Sequence, residues 1–204
     1  MVGSWKVDVV VGKLPQTVAT AMGKLNENIL GAEYTPIAYL GSQLVNGTNH
    51  AVLAEQLVVT GKDTKNIVTI IFNEKPGSEC TLVSIERVLE SGGEMGGVKI
   101  DVQTGDDIDA AAKAVFAKDM AGFVGSDVNP FALLGTQVVR GMDYIFAAEV
   151  TPVTKGGELN KKVALVTVNS MTPGANFVDI LASKQQLVGY AFTWLGAPLG
   201  EWPW

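Results

Sequence analysis

The chain has 204 residues, 47% of them apolar, enough for one large domain or two small ones with a packed core. Its net charge of −6 argues against nucleic acid and anionic lipid, both of which need a basic face, and no apolar run approaches the roughly 18 residues of a membrane span. Cys80 is the only cysteine and Lys6 and Asp8 interrupt the apolar start, so neither an internal disulfide nor a signal peptide is expected, which slightly favours the cytoplasm.

Taken from the N-terminus, residues 5–11 are apolar and β-branched, the composition of a strand. Val18, Met22, Leu25 and Ile29 follow at i, i+4, i+7 and i+11, the apolar face of a helix, with Pro15 at its start and Gly31 as its stop. Residues 37–45, 48–59, 66–72 and 81–88 then read as strands. Asn46-Gly47 is a tight-hairpin signal, because both residues tolerate positive φ, and Lys75-Pro-Gly77 marks the next hairpin. Residues 90–97, rich in glycine and polar side chains, read as a linker.

Beyond the linker the same order returns. Shifted by 94 residues, 34–56 lies on 128–150 without a gap, and nine of the 23 pairs are identical. They are Pro36/Pro130, Ala38/Ala132, Leu40/Leu134, Gly41/Gly135, Gln43/Gln137, Val45/Val139, Gly47/Gly141, Ala54/Ala148 and Glu55/Glu149. GSWKVDVVVG at 3–12 likewise resembles GGVKIDVQTG at 96–105. Ala112, Val115, Phe116, Met120 and Phe123 repeat the helical stripe, with Asp106, Asp107 and Asp109 favouring its N-terminus and Gly125 as its stop. Arg140-Gly141 is a poorer match to a tight turn than Asn46-Gly47, and Thr172-Pro-Gly174 marks the hairpin after it. Either 176–181 or 187–195 supplies the last strand.

The expected fold is α+β, as two units at residues 1–92 and 93–204, each one helix packed across an antiparallel sheet whose other face meets water or a partner. A single domain with a pseudo-symmetric core is the alternative.

A helix crossing a sheet, with Gln-x-Val-x-Gly at a hairpin, resembles the cystatin family. The motif stands twice, as Gln43-Leu-Val-Asn-Gly47 and Gln137-Val-Val-Arg-Gly141. Gly47-Thr-Asn-His50 is similar to the family's Gly-Thr-Asn-Tyr continuation, and FNEKPGS at 72–78 to the Leu-Pro-Gly hairpin of the stefins, the disulfide-free branch. Gly3 corresponds to the glycine at which the family's N-terminal segment bends. The resemblance covers roughly residues 1–90 and 95–182 and implies inhibition of papain-like cysteine proteases. Its mechanism is a wedge: N-terminal segment, first hairpin and Pro-containing hairpin fill the protease cleft on either side of the catalytic cysteine. The implied protease-binding residues are Gly3, Gln43, Leu44, Val45, Asn46, Gly47, Pro76 and Gly77 in the first unit. In the second they are Gln137, Val138, Val139, Arg140, Gly141, Pro173 and Gly174. The family's central alanine is Asn46 in one motif and Arg140 in the other, and Met95-Gly-Gly97 lies in the linker, which makes the first unit the better candidate.

The alternative is a non-inhibitory binding or assembly module. Its hairpins serve turn geometry alone, and its open sheet faces and edge strands bind partner chains or further copies of itself. Trp202 and Trp204, around Pro203, anchor such contacts or fold back over the sheet. An enzyme has least support. His50, the only histidine, reads as a strand neighbour rather than the base of a Cys80 nucleophile, since Tyr144 replaces it in the second unit. One His and one Cys make no usual zinc site, the three aspartates read as helix-start residues, and neither a G-x-G-x-x-G nor a Walker pattern calls for a nucleotide cofactor.

Overall fold

The computed structural model describes residues 3–59, 64–92, 96–153 and 160–182. The tryptophan tail and the candidate strand at 187–195 lie outside the described residues. In the first half β1 (Trp5–Val11), α1 (Gln16–Asn28), β2 (Ala32–Val45), β3 (Gly47–Val58), β4 (Thr64–Glu74) and β5 (Thr81–Glu90) follow in order. The second half repeats them as β6 (Val98–Thr104), α2 (Ala110–Met120), β7 (Ser126–Val139), β8 (Gly141–Pro152), β9 (Lys162–Asn169) and β10 (Ala175–Asp179). Each half is an antiparallel sheet with its strands in chain order and one helix across it, so the fold is α+β with two like units. No described helix is long and apolar enough to cross a membrane.

The repeat extends to the hydrogen-bond register. Pro36 pairs with Ala54 and Pro130 with Ala148, and a bulge follows each proline. Second bulges fall between Tyr39 and Gly41 and between Leu133 and Gly135. Bulges bend a strand and add twist, which lets each sheet wrap its helix. A Cβ at Gly41 would run into the backbone of β1 at Lys6, and one at Gly135 into β6 at Lys99. That close approach requires glycine at both places.

α1 buries Val18, Ala21, Met22 and Leu25 against Tyr34, Val52, Ala54, Val68, Ile70 and Phe72. Each large side chain so buried contributes roughly 1.5–3 kcal/mol. α2 is two residues shorter (11 against 13) and buries Ala112 and Phe116, the latter edge-to-face on Phe146 at 4.8 Å. Pro15 stands at the N-cap position of α1, while Asp109 caps α2 by accepting the Ala112 N–H at 2.9 Å. Gly31 and Gly125 do not stop the helices, contrary to expectation. α1 ends at Asn28 and α2 at Met120, and the two glycines, at φ +83° and +99°, turn the chain into β2 and β7.

The sheet faces turned away from the helices pack against each other. Leu40, Leu53 and Ile67 from one sheet and Leu134, Ile145 and Val163 from the other belong to one buried cluster. Along β3, Val52 and Ala54 face α1 while Ala51 and Leu53 face the second sheet. A strand buried on both sides has no polar face to alternate with, hence the unbroken apolar runs of β3 and β8. The described residues therefore form four layers, helix, sheet, sheet, helix. The face expected to meet water or a partner meets the other unit.

Candidate functional site

In the first unit β2 and β3 pair up to Val45 and Gly47, leaving Asn46 alone at the apex, a tighter turn than a two-residue hairpin. Gly47 sits at φ +96°, and a Cβ there would stand 2.5 Å from the Glu74 carbonyl oxygen. Glycine is thus required both by the turn and by the β4–β5 hairpin lying against it. On the other side, the Gly3 N–H donates to the Leu44 carbonyl at 2.9 Å.

Side-chain amides tie these pieces together. Gln43 Nε2 donates to the Gly3 carbonyl at 2.9 Å, and Asn49 Nδ2 donates to Gln43 Oε1 at 3.2 Å. Asn73 Nδ2 then donates to Asn49 Oδ1 at 2.8 Å. Beyond Asn73 the second hairpin closes through the Ser78 N–H on the Lys75 carbonyl at 3.0 Å, with Gly77 at φ +73°. Gly3, the Asn46 apex and the Pro76-Gly77 turn consequently lie side by side at one end of the sheet. Leu44 is 72% exposed there; Asn46, Pro76 and Gly77 are exposed, and Gln43, Val45 and Gly47 half-buried.

Behind this edge His50 is buried, with Nδ1 2.9 Å from the Tyr39 hydroxyl and Nε2 3.0 Å from Glu74 Oε2. Both ring nitrogens are engaged, so His50 has none to offer Cys80. Burial also pushes the Cys80 thiol above its ordinary pKa, which keeps it protonated and a poor nucleophile. The cluster instead props the two hairpins from below, since Glu74 directly precedes the second. Sequence reasoning overlooked Tyr39 and Glu74 as partners of His50 and Asn49 and Asn73 as a bridge. The signal for Asn49 and Asn73 lies in the hairpin pairing, which sets them directly opposite each other.

The second unit repeats the edge with two changes. Val139 pairs with Gly141 at φ +96°, so the Arg140 turn matches the Asn46 turn despite its weaker sequence signal. Gln137 Nε2 donates to the Gly96 carbonyl at 2.7 Å, as Gln43 does to Gly3. Asn169 Nδ2 donates to Asp143 Oδ1 at 2.6 Å. Asp143, however, stands where the first unit has Asn49, and a carboxylate has no N–H to give Gln137; the chain of amides stops there. Upstream of Gly96, the Gly92 N–H bonds to the Val98 carbonyl at 3.1 Å, which holds the end of the first unit beside the start of β6. Val138 is 64% exposed; Val139, Arg140 and Pro173 are exposed and Gly174 half-buried.

The two edges lie at opposite ends of the molecule. Trp5, Gln43 and Asn49 share a cavity with Lys161, Lys162 and Ile180, from the end of the second sheet remote from its own hairpins. Conversely, Ser91 bonds to Lys65 and Gly92 to Val98, which sets the remote end of the first sheet beside the second edge. No protein-family model matches the chain, and no curated protein matches it in sequence.

Proposed function

We propose that the chain is a stefin-like, cystatin-type inhibitor of papain-like cysteine proteases, and that its first unit is the inhibitory head. The observation that carries this reading is the run of amides from Gln43 through Asn49 to Asn73, which joins the N-terminal segment and both hairpins into one exposed edge. An edge ordered before docking loses little conformational entropy on binding, and Leu44 offers apolar surface at its tip. Blocking a cleft in this way needs neither a catalytic group nor a cofactor.

The second unit has the same hairpin but lacks the continuous amide chain, and the chain before it is tied at Gly92 to Val98. It is the weaker head. The assembly alternative loses its main surface, because the sheet faces it would use cover one another.

The test is titration of papain by the full chain, followed with a fluorogenic peptide substrate near neutral pH in reductant. Tight inhibition with an end point of one enzyme per chain is expected. An end point of two would put both units on an equal footing, and no inhibition at micromolar protein would remove the protease reading.

A further inference from the structure

The two units differ where the helix gives way to the next strand. In the first, Tyr34 is buried, and the Asn26 side chain makes two hydrogen bonds of 2.9 Å with its backbone. Its hydroxyl accepts from Gln56 Nε2 at 2.9 Å, and Gln56 Oε1 accepts from Asn66 Nδ2 at 2.9 Å. Tyr34 pairs with Gln56 and Gln56 with Asn66; at the equivalent points Val128 pairs with Val150 and Val150 with Lys162. The second unit thus has valine for the tyrosine, and also Ala164 where the first has Val68. Val150, Lys162 and Ala164, which stand where the first unit has Gln56, Asn66 and Val68, line a cavity of about 260 Å³. Phe123, Val150, Ala164 and Phe177 wall it, with Lys162 and Asp179 also on its lining.

We propose that this cavity is a binding site for a small neutral phenol. Size sets the first limit: an apolar cavity of ~150 Å³ already takes benzene, so this one has room for a substituted ring. The polar groups set the second. Lys162 Nζ is 3.5 Å from Asp179 Oδ2, while Asp179 Oδ1 accepts the Leu181 and Ala182 N–H groups at 3.0 and 3.1 Å. One ammonium and one carboxylate side by side offer a donor and an acceptor. A hydroxyl is both, accepting from Lys162 and donating to Asp179. An anion would meet Asp179 and a cation Lys162, each at a penalty. The site stands apart from both hairpin edges and does not depend on protease inhibition.

The experiment titrates the full chain with p-cresol, toluene and 4-methylbenzoate, following backbone amide shifts by NMR. Saturable one-to-one binding of p-cresol is expected, with shifts centred on Phe123, Ala164 and Phe177. Toluene should bind roughly fivefold more weakly for want of the hydroxyl, and 4-methylbenzoate more weakly still. Lys162→Met removes one of the two hydrogen-bond partners and should weaken p-cresol while leaving toluene unchanged. Val150→Tyr places a ring in the cavity and should abolish binding of both; Ala164→Leu fills the cavity from β9 and serves if the first variant does not fold. Shifts that never saturate, or undiminished p-cresol binding in a folded filled variant, would overturn the site. Tighter binding of 4-methylbenzoate than of p-cresol would overturn the ligand class.

Discussion

Beneath their helices the two units have diverged: Leu25, Tyr34 and Val68 in the first correspond to Asp119, Val128 and Ala164 in the second. Along their backbones they have not. Several of the pairs that stay identical are ones the main chain or an ion pair constrains, beside core residues such as Leu40 and Leu134. Gly41 and Gly135 lie against a crossing strand, Gly47 and Gly141 hold positive φ, and Gln43 and Gln137 each grip a carbonyl of the preceding segment. Glu55 pairs with Lys65 at 2.9 Å and Glu149 with Lys161 at 2.8 Å. Apolar volume can be redistributed across a core at modest cost, whereas a backbone clash cannot be redistributed at all.

The sharpest way to break the comparison is to attack what both units share. Gly41→Val and Gly135→Val each drive a side chain into a neighbouring strand, and each should cost more than ~4 kcal/mol. Because the sheets bury one common cluster, either variant is expected to unfold both units in a single transition on urea denaturation. Two separable transitions would mean that the units fold independently.

A second test makes one edge resemble the other. Asn49→Asp cuts the amide chain as Asp143 does naturally and should weaken papain inhibition about tenfold, or ~1.4 kcal/mol, with the melting temperature little changed. The reverse change, Asp143→Asn, should strengthen whatever inhibition the second unit has. Equal inhibition by Asn49→Asp and the parent chain would deprive the amide chain of any role in binding.

The smallest expected effect concerns Asp119, at the position of Leu25. Burial raises its carboxyl pKa, the Gly174 backbone N–H opposes that rise, and Oδ2 has no hydrogen-bond partner among the described residues. A folded-state pKa above the unfolded value means that the folded state holds the proton more tightly. Stability should therefore rise as pH falls from neutral through the raised value and level off below the ordinary carboxylate range. Asp119→Leu should add about 1 kcal/mol near neutral pH and abolish that slope in urea melts taken across the acid range. An unchanged slope would assign the pH response to other carboxylates.

Much of the fold was legible in the residues. β1 appears at the expected residues 5–11, and the other strands differ mainly at their ends. The helix stops were misread because Gly31 and Gly125 mark the entry to a strand, and positive φ serves either purpose. The hairpins of the candidate site could be read from Asn46-Gly47 and Pro76-Gly77, since turn geometry is local. The bridge through Asn49 and Asn73 could not, because amide side chains on different strands meet only once the register is set.

Strand and helix periodicity, glycine placement and the 94-residue repeat by themselves determined two like α+β units, because each depends on contacts within a few residues or within one hairpin. Only the tertiary structure decided that the sheets share a core, that the edges lie at opposite ends, and that the second unit keeps a cavity beside Val150 and Ala164. Those outcomes depend on side chains far apart in the chain, whose volumes and hydrogen-bonding groups are matched only after the layers have packed.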